Sequence, residues 1–105
     1  MRTKSFSDSV YAMTSMIPMG RVTTYGAIAK AMGVPGAARA VGQALGANRN
    51  PIVVPCHRVV RADGVLGGYS GGEGPVTKGK LLAREGVQVS AGKVNLGKYL
   101  FADFP

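Results

Sequence analysis

The chain has 105 residues, 46% hydrophobic and 17% charged, a composition that excludes a disordered segment and fits one globular domain near the size where a single core suffices. Thirteen Lys and Arg against five Asp and Glu give a formal net charge of +8, which favours polyanionic partners, although the cations are scattered and form no basic tail. One cysteine excludes an internal disulfide and a Cys-rich zinc site and fits a reducing compartment; no apolar stretch is long enough for a bilayer, and Met1-Arg2-Thr3-Lys4 leads into no signal-peptide core, so a soluble, intracellular protein is expected.

A first amphipathic helix is predicted from Ser5 or Ser7 to about Met16, because Phe6, Val10, Tyr11, Met13 and Ile17 recur at helical spacing behind a serine N-cap. Pro18 and Gly20 stop it. Val22-Thr23-Thr24-Tyr25 then feeds a second helix, from Tyr25 to about Met32, with Thr24 as N-cap and Ile28, Ala29 and Met32 as its buried side. Gly33-Val34-Pro35-Gly36 reads as a turn, and a third helix follows from about Ala37 to Leu45. Two short helices across a tight glycine-containing turn form a helix-turn-helix pattern, whose second helix is the one offered to nucleic acid.

That third helix is nearly smooth. Ala37, Ala38, Ala40, Gly42 and Ala44 leave little relief, and Arg39 and Gln43, four apart, stand out on one side. Such a surface suits either tight packing against a neighbouring element or a sugar-phosphate wall or narrow groove, where long side chains would clash.

The apolar run Ile52-Val53-Val54 ends at Pro55, which places Cys56 at the end of a buried strand. Arg61-Ala62-Asp63-Gly64 is a turn signal, so Pro51 to Val60 and Val65 to Gly67 are expected to form a small hairpin-like wing. A last helix is predicted from about Thr77 to Glu85, capped by Gly86. The tail from Val87 to Pro105 has weak periodicity, with Tyr99, Leu100, Phe101 and Phe104 covering a remaining apolar surface.

The chemistry concentrates in Pro55-Cys56-His57-Arg58-Val59-Val60, where the only cysteine and the only histidine are neighbours. A thiol is a nucleophile only as thiolate, and with a pKa near about 8.5 it needs a proton acceptor at neutral pH. Adjacent side chains on a strand point to opposite faces, so the backbone must turn them toward each other, and Pro55 is placed to do part of that.

Around this motif stand Asn48, the loop Gly67-Gly68-Tyr69-Ser70-Gly71-Gly72, Glu85 behind Leu81-Leu82-Ala83, and upstream Arg21-Val22-Thr23-Thr24-Tyr25-Gly26 and Ala37-Ala38-Arg39-Ala40-Val41-Gly42. With these in order, from about Phe6 to Gly86, the chain resembles the C-terminal domain of the O6-alkylguanine-DNA alkyltransferases, or methylated-DNA-protein-cysteine methyltransferases. The resemblance implies a mainly α fold over residues 1–105, a single small winged-helix-like helix-turn-helix domain with a short β element carrying the active-site Cys56.

It also implies the activity of a single-turnover methylated-DNA-protein-cysteine S-methyltransferase. Cys56 takes an alkyl group from O6-alkylguanine and keeps it; His57 accepts the thiol proton through a water, Glu85 holds the imidazole, and Asn48 holds the turn before the strand. Tyr25 meets the base and crowds its 3′ phosphate, while Arg39 fills the stack vacated by the extruded nucleotide. Val54 and Pro55 line the base pocket, and the Gly67 to Gly72 loop closes on it with Tyr69 and Ser70. Thr24, Ala37, Ala38, Arg39, Ala40, Gly42 and Gln43 form the DNA-binding face. The partner implied is double-stranded DNA carrying the lesion, bound by a monomer without metal, cofactor or membrane, in the cytoplasm or, in a eukaryote, the nucleus.

Two departures accompany the resemblance. The family's N-terminal domain has no counterpart in these residues, and two extra residues fall within Glu73-Gly74-Pro75-Val76-Thr77-Lys78. The first brings in a competing class, the short alkyltransferase-like proteins, which bind O6-alkylguanine without repairing it and flag it for nucleotide excision repair. They typically carry tryptophan or another residue where this chain has Cys56. The presence of Cys56, His57, Asn48 and Glu85 together favours the enzyme, and no oxyanion-hole signature supports a cysteine hydrolase.

Overall fold

Serine opens the fold. In the computed structural model, which describes residues 5–48, 54–67 and 74–104, the Ser5 hydroxyl accepts from the Asp8 amide at 3.1 Å and the Asp8 carboxylate accepts from the Ser5 amide at 3.4 Å. This reciprocal cap starts α1 (Phe6–Thr14). The helix stops two residues before the predicted Met16; Ile17 lies beyond it yet is buried, whereas Phe6 is exposed and not part of the core face.

β1 (Thr23–Thr24) leads directly into α2 (Tyr25–Ala31), because the Thr24 hydroxyl accepts from the Ala27 amide at 3.0 Å and ends the strand as a helix cap. Gly33, at φ +80°, closes α2, with the Val34 amide reaching back to the Ala29 carbonyl at 2.9 Å. α3 (Ala38–Gly46) packs on both α1 and α2, one residue displaced from the predicted range. The helix-turn-helix expected from the sequence is therefore present, and its small residues allow the close approach.

β2 (Val59–Val60) pairs in parallel with β1, Thr23 opposite Val59 and Thr24 opposite Val60. Period-two alternation then divides the molecule: Val59 joins a core formed by α1, α2 and α3, including Val10, Ile28, Val41 and Leu45, while Val60 joins a second core with Val22, Leu66, Leu82 and Val94. α4 (Pro75–Arg84) supplies Leu82 to that second core and begins two residues before the predicted Thr77, with Pro75 at the first helical position where a missing amide costs nothing.

The expected hairpin between the strand after Cys56 and Val65 is not how this region pairs. Its turn does form: the Gly64 amide donates to the Arg61 carbonyl at 2.8 Å and the Arg61 amide to the Val65 carbonyl at 2.9 Å. The strands take other partners, β2 on β1 and Val65 in an antiparallel bridge to Lys93. The wing is completed by the tail, in which β3 (Val89–Ser90) and β4 (Lys93–Val94) make an antiparallel hairpin through Ala91 and Gly92, both at positive φ. Gly64 belongs to this joint: it sits at φ +85°, and a Cβ there would stand 2.4 Å from the Val94 carbonyl oxygen.

α5 (Leu96–Tyr99) returns the chain to β1, where Phe101 donates to the Val22 carbonyl at 2.7 Å and Val22 to the Tyr99 carbonyl at 3.0 Å. The Arg21 side chain bonds the Tyr99 and Leu100 carbonyls. Tyr99 is buried, and Phe101 and Phe104 pack edge to face at 5.2 Å against the helical core. Leu100, expected to cover apolar surface with them, points to solvent because bridging to Val22 turns the adjacent residues inward instead. Among the described residues no helix is long and apolar enough to cross a membrane.

Candidate active site

Pro55 bends the chain just before the cysteine. With φ −77° and ψ 66°, and with the Cys56 amide donating to the Val54 carbonyl at 2.7 Å, it centres an inverse γ-turn. The Arg58 amide then bonds the Pro55 carbonyl at 2.9 Å and starts a 3-10 turn over Cys56–Arg58. Cys56 thus lies in a turn that precedes β2 and not at the end of a strand; the proline's fixed φ and missing amide favour this bend. Of the apolar run expected there, Ile52 and Val53 lie outside the described residues. At three residues per turn, successive side chains are about 120° apart, so the thiol and the imidazole are freed from the opposed arrangement of a strand. Cys56 goes into the helical core and His57 toward the C-terminal end of α4.

Asn48 reaches across to this bend. Its side-chain amide donates to the Val54 carbonyl at 3.0 Å and also hydrogen-bonds the thiol. Burial pushes the Cys56 thiol up from its ordinary value, and the bond from Asn48 and the positive charge of Lys78 oppose that. The His57 ring is likewise buried, which lowers its pKa against the raising influence of Glu85. Both effects keep the resting pair uncharged, as thiol and neutral imidazole.

The imidazole tautomer follows from its partner. His57 Nε2 lies 3.0 Å from Glu85 Oε2, and an ionised carboxylate only accepts, so Nε2 carries the hydrogen. Nδ1 keeps the lone pair; it is buried and takes no hydrogen bond from the described residues, which leaves it as the ring's proton acceptor. Glu85 stays ionised: burial alone would raise its pKa, but the bonds from Arg58 and His57 outweigh burial and hold it below the usual carboxylate range. Arg58 grips it with two bonds, Nε to Oε1 at 2.9 Å and an Nη to Oε2 at 2.7 Å.

Tyr25 and Lys78 form the other wall. The Tyr25 ring stands over Gly42 of α3, where a Cβ would be 3.8 Å from it, and its hydroxyl is 3.2 Å from the Cβ position of Gly67. Lys78, fully buried on α4, brings Nζ to 3.4 Å from that hydroxyl and 5.7 Å from the ring centre. Burial lowers the Lys78 pKa to about 8, and burial together with the thiolate charge raises that of Tyr25.

The structure thus brings together Asn48, Val54, Pro55, Cys56, His57, Glu85 and Tyr25. On α3, Arg39 and Gln43 are exposed and Ala37, Ala38, Ala40 and Gly42 half-buried, while Thr24 caps α2 behind Tyr25. Tyr69 and Ser70 lie outside the described residues. Sequence reasoning missed Lys78, although the signal was there: Lys78, Leu82 and Glu85 are four and three residues apart and share one face of α4. It also missed Arg58, which stands inside the Pro-Cys-His-Arg motif.

A helix-turn-helix that carries a buried thiol beside an imidazole and a clamped carboxylate defines a nucleic-acid-binding type of fold equipped with a nucleophile. Residues 5–87 match the family model described as 6-O-methylguanine DNA methyltransferase, DNA binding domain, and the chain belongs to that family. It is 45% identical over 84 residues to the methylated-DNA-protein-cysteine methyltransferase of Rattus norvegicus, covering 79% of this chain and 40% of the rat protein. The chain spans less than half the length of the curated relatives it matches. Among solved structures it is similar to Mycobacterium tuberculosis OGT in complex with DNA, with TM-score 0.74 and 47% identity over 81% of this chain and 51% of that one. It is also similar to S. pombe Atl1 in complex with damaged DNA containing O6-carboxymethylguanine, with TM-score 0.84 and 35% identity over 96% of this chain and 98% of that one.

Proposed function

We propose that residues 1–105 act as one DNA-binding and catalytic unit that repairs O6-alkylguanine in double-stranded DNA by moving the alkyl group to Cys56. The observation that carries this reading is the assembly around the thiol: Cys56 beside His57, whose Nε2 is tied at 3.0 Å to an ionised Glu85. In the step, the bond from carbon to guanine O6 breaks and its electron pair leaves on the purine, while a bond from carbon to Cys56 Sγ forms. The thiol proton goes through a water to His57 Nδ1, which takes no hydrogen bond from the described residues. The purine regains a proton, for which the Tyr25 hydroxyl backed by the Lys78 ammonium is the donor the geometry supports. No cofactor is needed, and the thioether is final because water has no leaving group to displace.

The DNA is held by the face comprising Thr24, Ala37, Ala38, Ala40, Gly42 and Gln43, whose small residues let the third helix approach the backbone closely. Arg39 occupies the stack left by the extruded nucleotide, since an alkyl group on a stacked base cannot reach a buried thiol. Asn48, Val54 and Pro55 shape the pocket beneath the base. Tyr69 and Ser70, by their place in the family's loop, contribute a stacking face and a donor toward O6.

A second reading is favoured by the similarity to Atl1, whose chain this one matches over nearly its full length. In it the protein binds the lesion and flags it for nucleotide excision repair without chemistry. Intact mass separates the two after incubation with duplex containing O6-methylguanine. A gain of one methylene, mapped to the Cys56 peptide and saturating at about one per protein, is expected. Tight binding with no mass change would overturn the enzyme in favour of the binder.

A further inference from the structure

We propose that Arg58 is a positioning residue of this site: anchored on the Ile17 carbonyl, its guanidinium grips both oxygens of Glu85 and so fixes the carboxylate edge on which the His57 ring rests. The inference deepens the proposed alkyl transfer and rests on it only for its kinetic consequence.

Three contacts define the clamp. Arg58 Nε donates to Glu85 Oε1 at 2.9 Å, one terminal nitrogen to Oε2 at 2.7 Å, and the other to the Ile17 carbonyl at 2.8 Å. Oε2 is the same atom that His57 Nε2 meets at 3.0 Å, so a rotation of the carboxylate that broke the fork would carry the imidazole's partner away. Both side chains are largely withdrawn from solvent, 14% and 12% exposed, where an ion pair keeps more of its strength than at a surface. Glu85 also sits at the C-terminal cap of α4, where the helix carbonyls mildly repel a carboxylate, and the guanidinium offsets that repulsion. The anchor is fixed in turn, because Ile17 is buried and Gly20, in the same loop, lies close enough to α4 that a Cβ would stand 3.4 Å from the Glu85 carbonyl oxygen.

A planar fork is what the arrangement uses, and lysine cannot reproduce it. Arg58→Lys keeps the charge and loses the bidentate grip, which separates positioning from mere proximity of a cation. The chain has one histidine, so the imidazole proton signals report His57 without further assignment. Glu85 raises the His57 pKa by hydrogen bond and charge, while Arg58 and Lys78 lower it. If the fork positions Glu85, Arg58→Lys loosens the carboxylate and the His57 midpoint falls. If Arg58 only contributes charge, the midpoint stays in Arg58→Lys and rises in Arg58→Met.

The experiment is an NMR titration of His57 in the full chain and in Arg58→Lys, Arg58→Met, Glu85→Gln and the Arg58→Lys/Glu85→Gln double variant, with alkyl transfer timed on the same samples. The expected result is a lower midpoint in Arg58→Lys, with Arg58→Met above it because the opposing cation is gone, transfer slower on the order of tenfold in Arg58→Lys, and no further change from Arg58→Lys once Glu85 is Gln. A midpoint that stays or rises in Arg58→Lys overturns the inference, as does an additive loss in the double variant. Should Arg58→Met fail to fold, the charge-conserving variant decides alone. A native chain that transfers no alkyl group would overturn the proposed function, with the titration still deciding the role of Arg58.

Discussion

Lys78 is fully buried, and in the fold its pKa is lowered from 10.5 to about 8 by burial. At about 1.4 kcal/mol per pH unit, keeping this side chain charged at neutral pH costs the fold about 3 kcal/mol, a substantial fraction of a small domain's stability. The unfolded chain holds the Lys78 proton up to pH 10.5 and the folded chain only to about 8, so between those values the unfolded state binds the extra proton and stability rises with pH. Below that window both states are charged and the whole penalty is carried. Lys78→Met, which fills similar space without the charge, is therefore expected to stabilise the protein at neutral pH and to remove the rise.

Two neighbours titrate nearby with the opposite sign. The Cys56 thiol and the Tyr25 hydroxyl both have raised folded pKa values, so each loses stability as pH climbs past its unfolded value. A Cys56→Ser background removes the first, and stopping at about pH 9.5 stays below most of the second. Urea unfolding followed by far-ultraviolet circular dichroism, suited to a chain without tryptophan, then compares Cys56→Ser with Cys56→Ser/Lys78→Met. Cys56 raises the Lys78 pKa, so its removal deepens the penalty: the double variant should lead by at least about 3 kcal/mol at neutral pH, and the gap should narrow by at least about 2 kcal/mol by about pH 9.5. A gap that stays constant over that range would refute a buried ammonium as its source.

Cys56→Ala should abolish alkyl transfer while leaving affinity for lesion-bearing duplex within about threefold, since the sulfur is not needed for the α3 face; retained transfer would sink the mechanism. Arg39→Ala should slow repair of a stacked lesion in duplex far more than transfer from the free base, because extrusion costs a few kcal/mol that an intercalated side chain offsets. An equal deficit on both substrates, or a mere loss of about one in the salt slope, would reduce Arg39 to a phosphate contact. Gly64→Ala should destabilise the fold by about 1–3 kcal/mol in urea unfolding, as it adds a Cβ at φ +85° only 2.4 Å from the Val94 carbonyl; a neutral effect would mean that the wing joint is loose.

The helices were legible because their signals are local. A serine cap at Ser5 or Ser7, Thr24 before Tyr25, and Gly33 and Gly86 at helix ends each act within a few residues; the structure selects Ser5 for the first cap and places the others at a cap or just beyond it. What the sequence concealed was pairing at a distance. Nothing near Val59 announces Thr23 as its partner, and the tail's contribution to the wing depends on a Val65 bridge to Lys93 across the length of α4. The Ala91-Gly92 turn was a short-range signal that weak periodicity around it obscured. In the site, Cys56 and His57 stood out as the chain's only cysteine and histidine, side by side, and Glu85 came from motif resemblance. Lys78 needed the further step of noticing that it shares a helix face with Glu85, and the grip of Arg58 needed three dimensions, because one of its acceptors belongs to the loop after α1.

The charges around the thiol follow a single physical logic once alkyl transfer is taken as the function. Burial alone would produce an inert cysteine, since it raises the thiol and lowers the imidazole and so keeps the proton on sulfur. Against that the site sets the Lys78 cation near the thiol and the Glu85 carboxylate beside the imidazole, with Arg58 holding Glu85 in place while its own charge disfavours an imidazolium. Moving the proton from Cys56 to His57 leaves the net charge of the pocket unchanged but places an anion near Lys78 and a cation beside Glu85, two attractive contacts set against the repulsion of the imidazolium by Arg58 and Lys78. The protonated resting state has its own use. A thiolate is the form that oxidants and stray electrophiles attack, and a protein that spends its only nucleophile in one turnover loses everything to one such event. A site that holds the thiol neutral until a lesion is seated, and then has the Lys78 cation waiting for the charge, loses some intrinsic speed and gains the survival of its single cysteine.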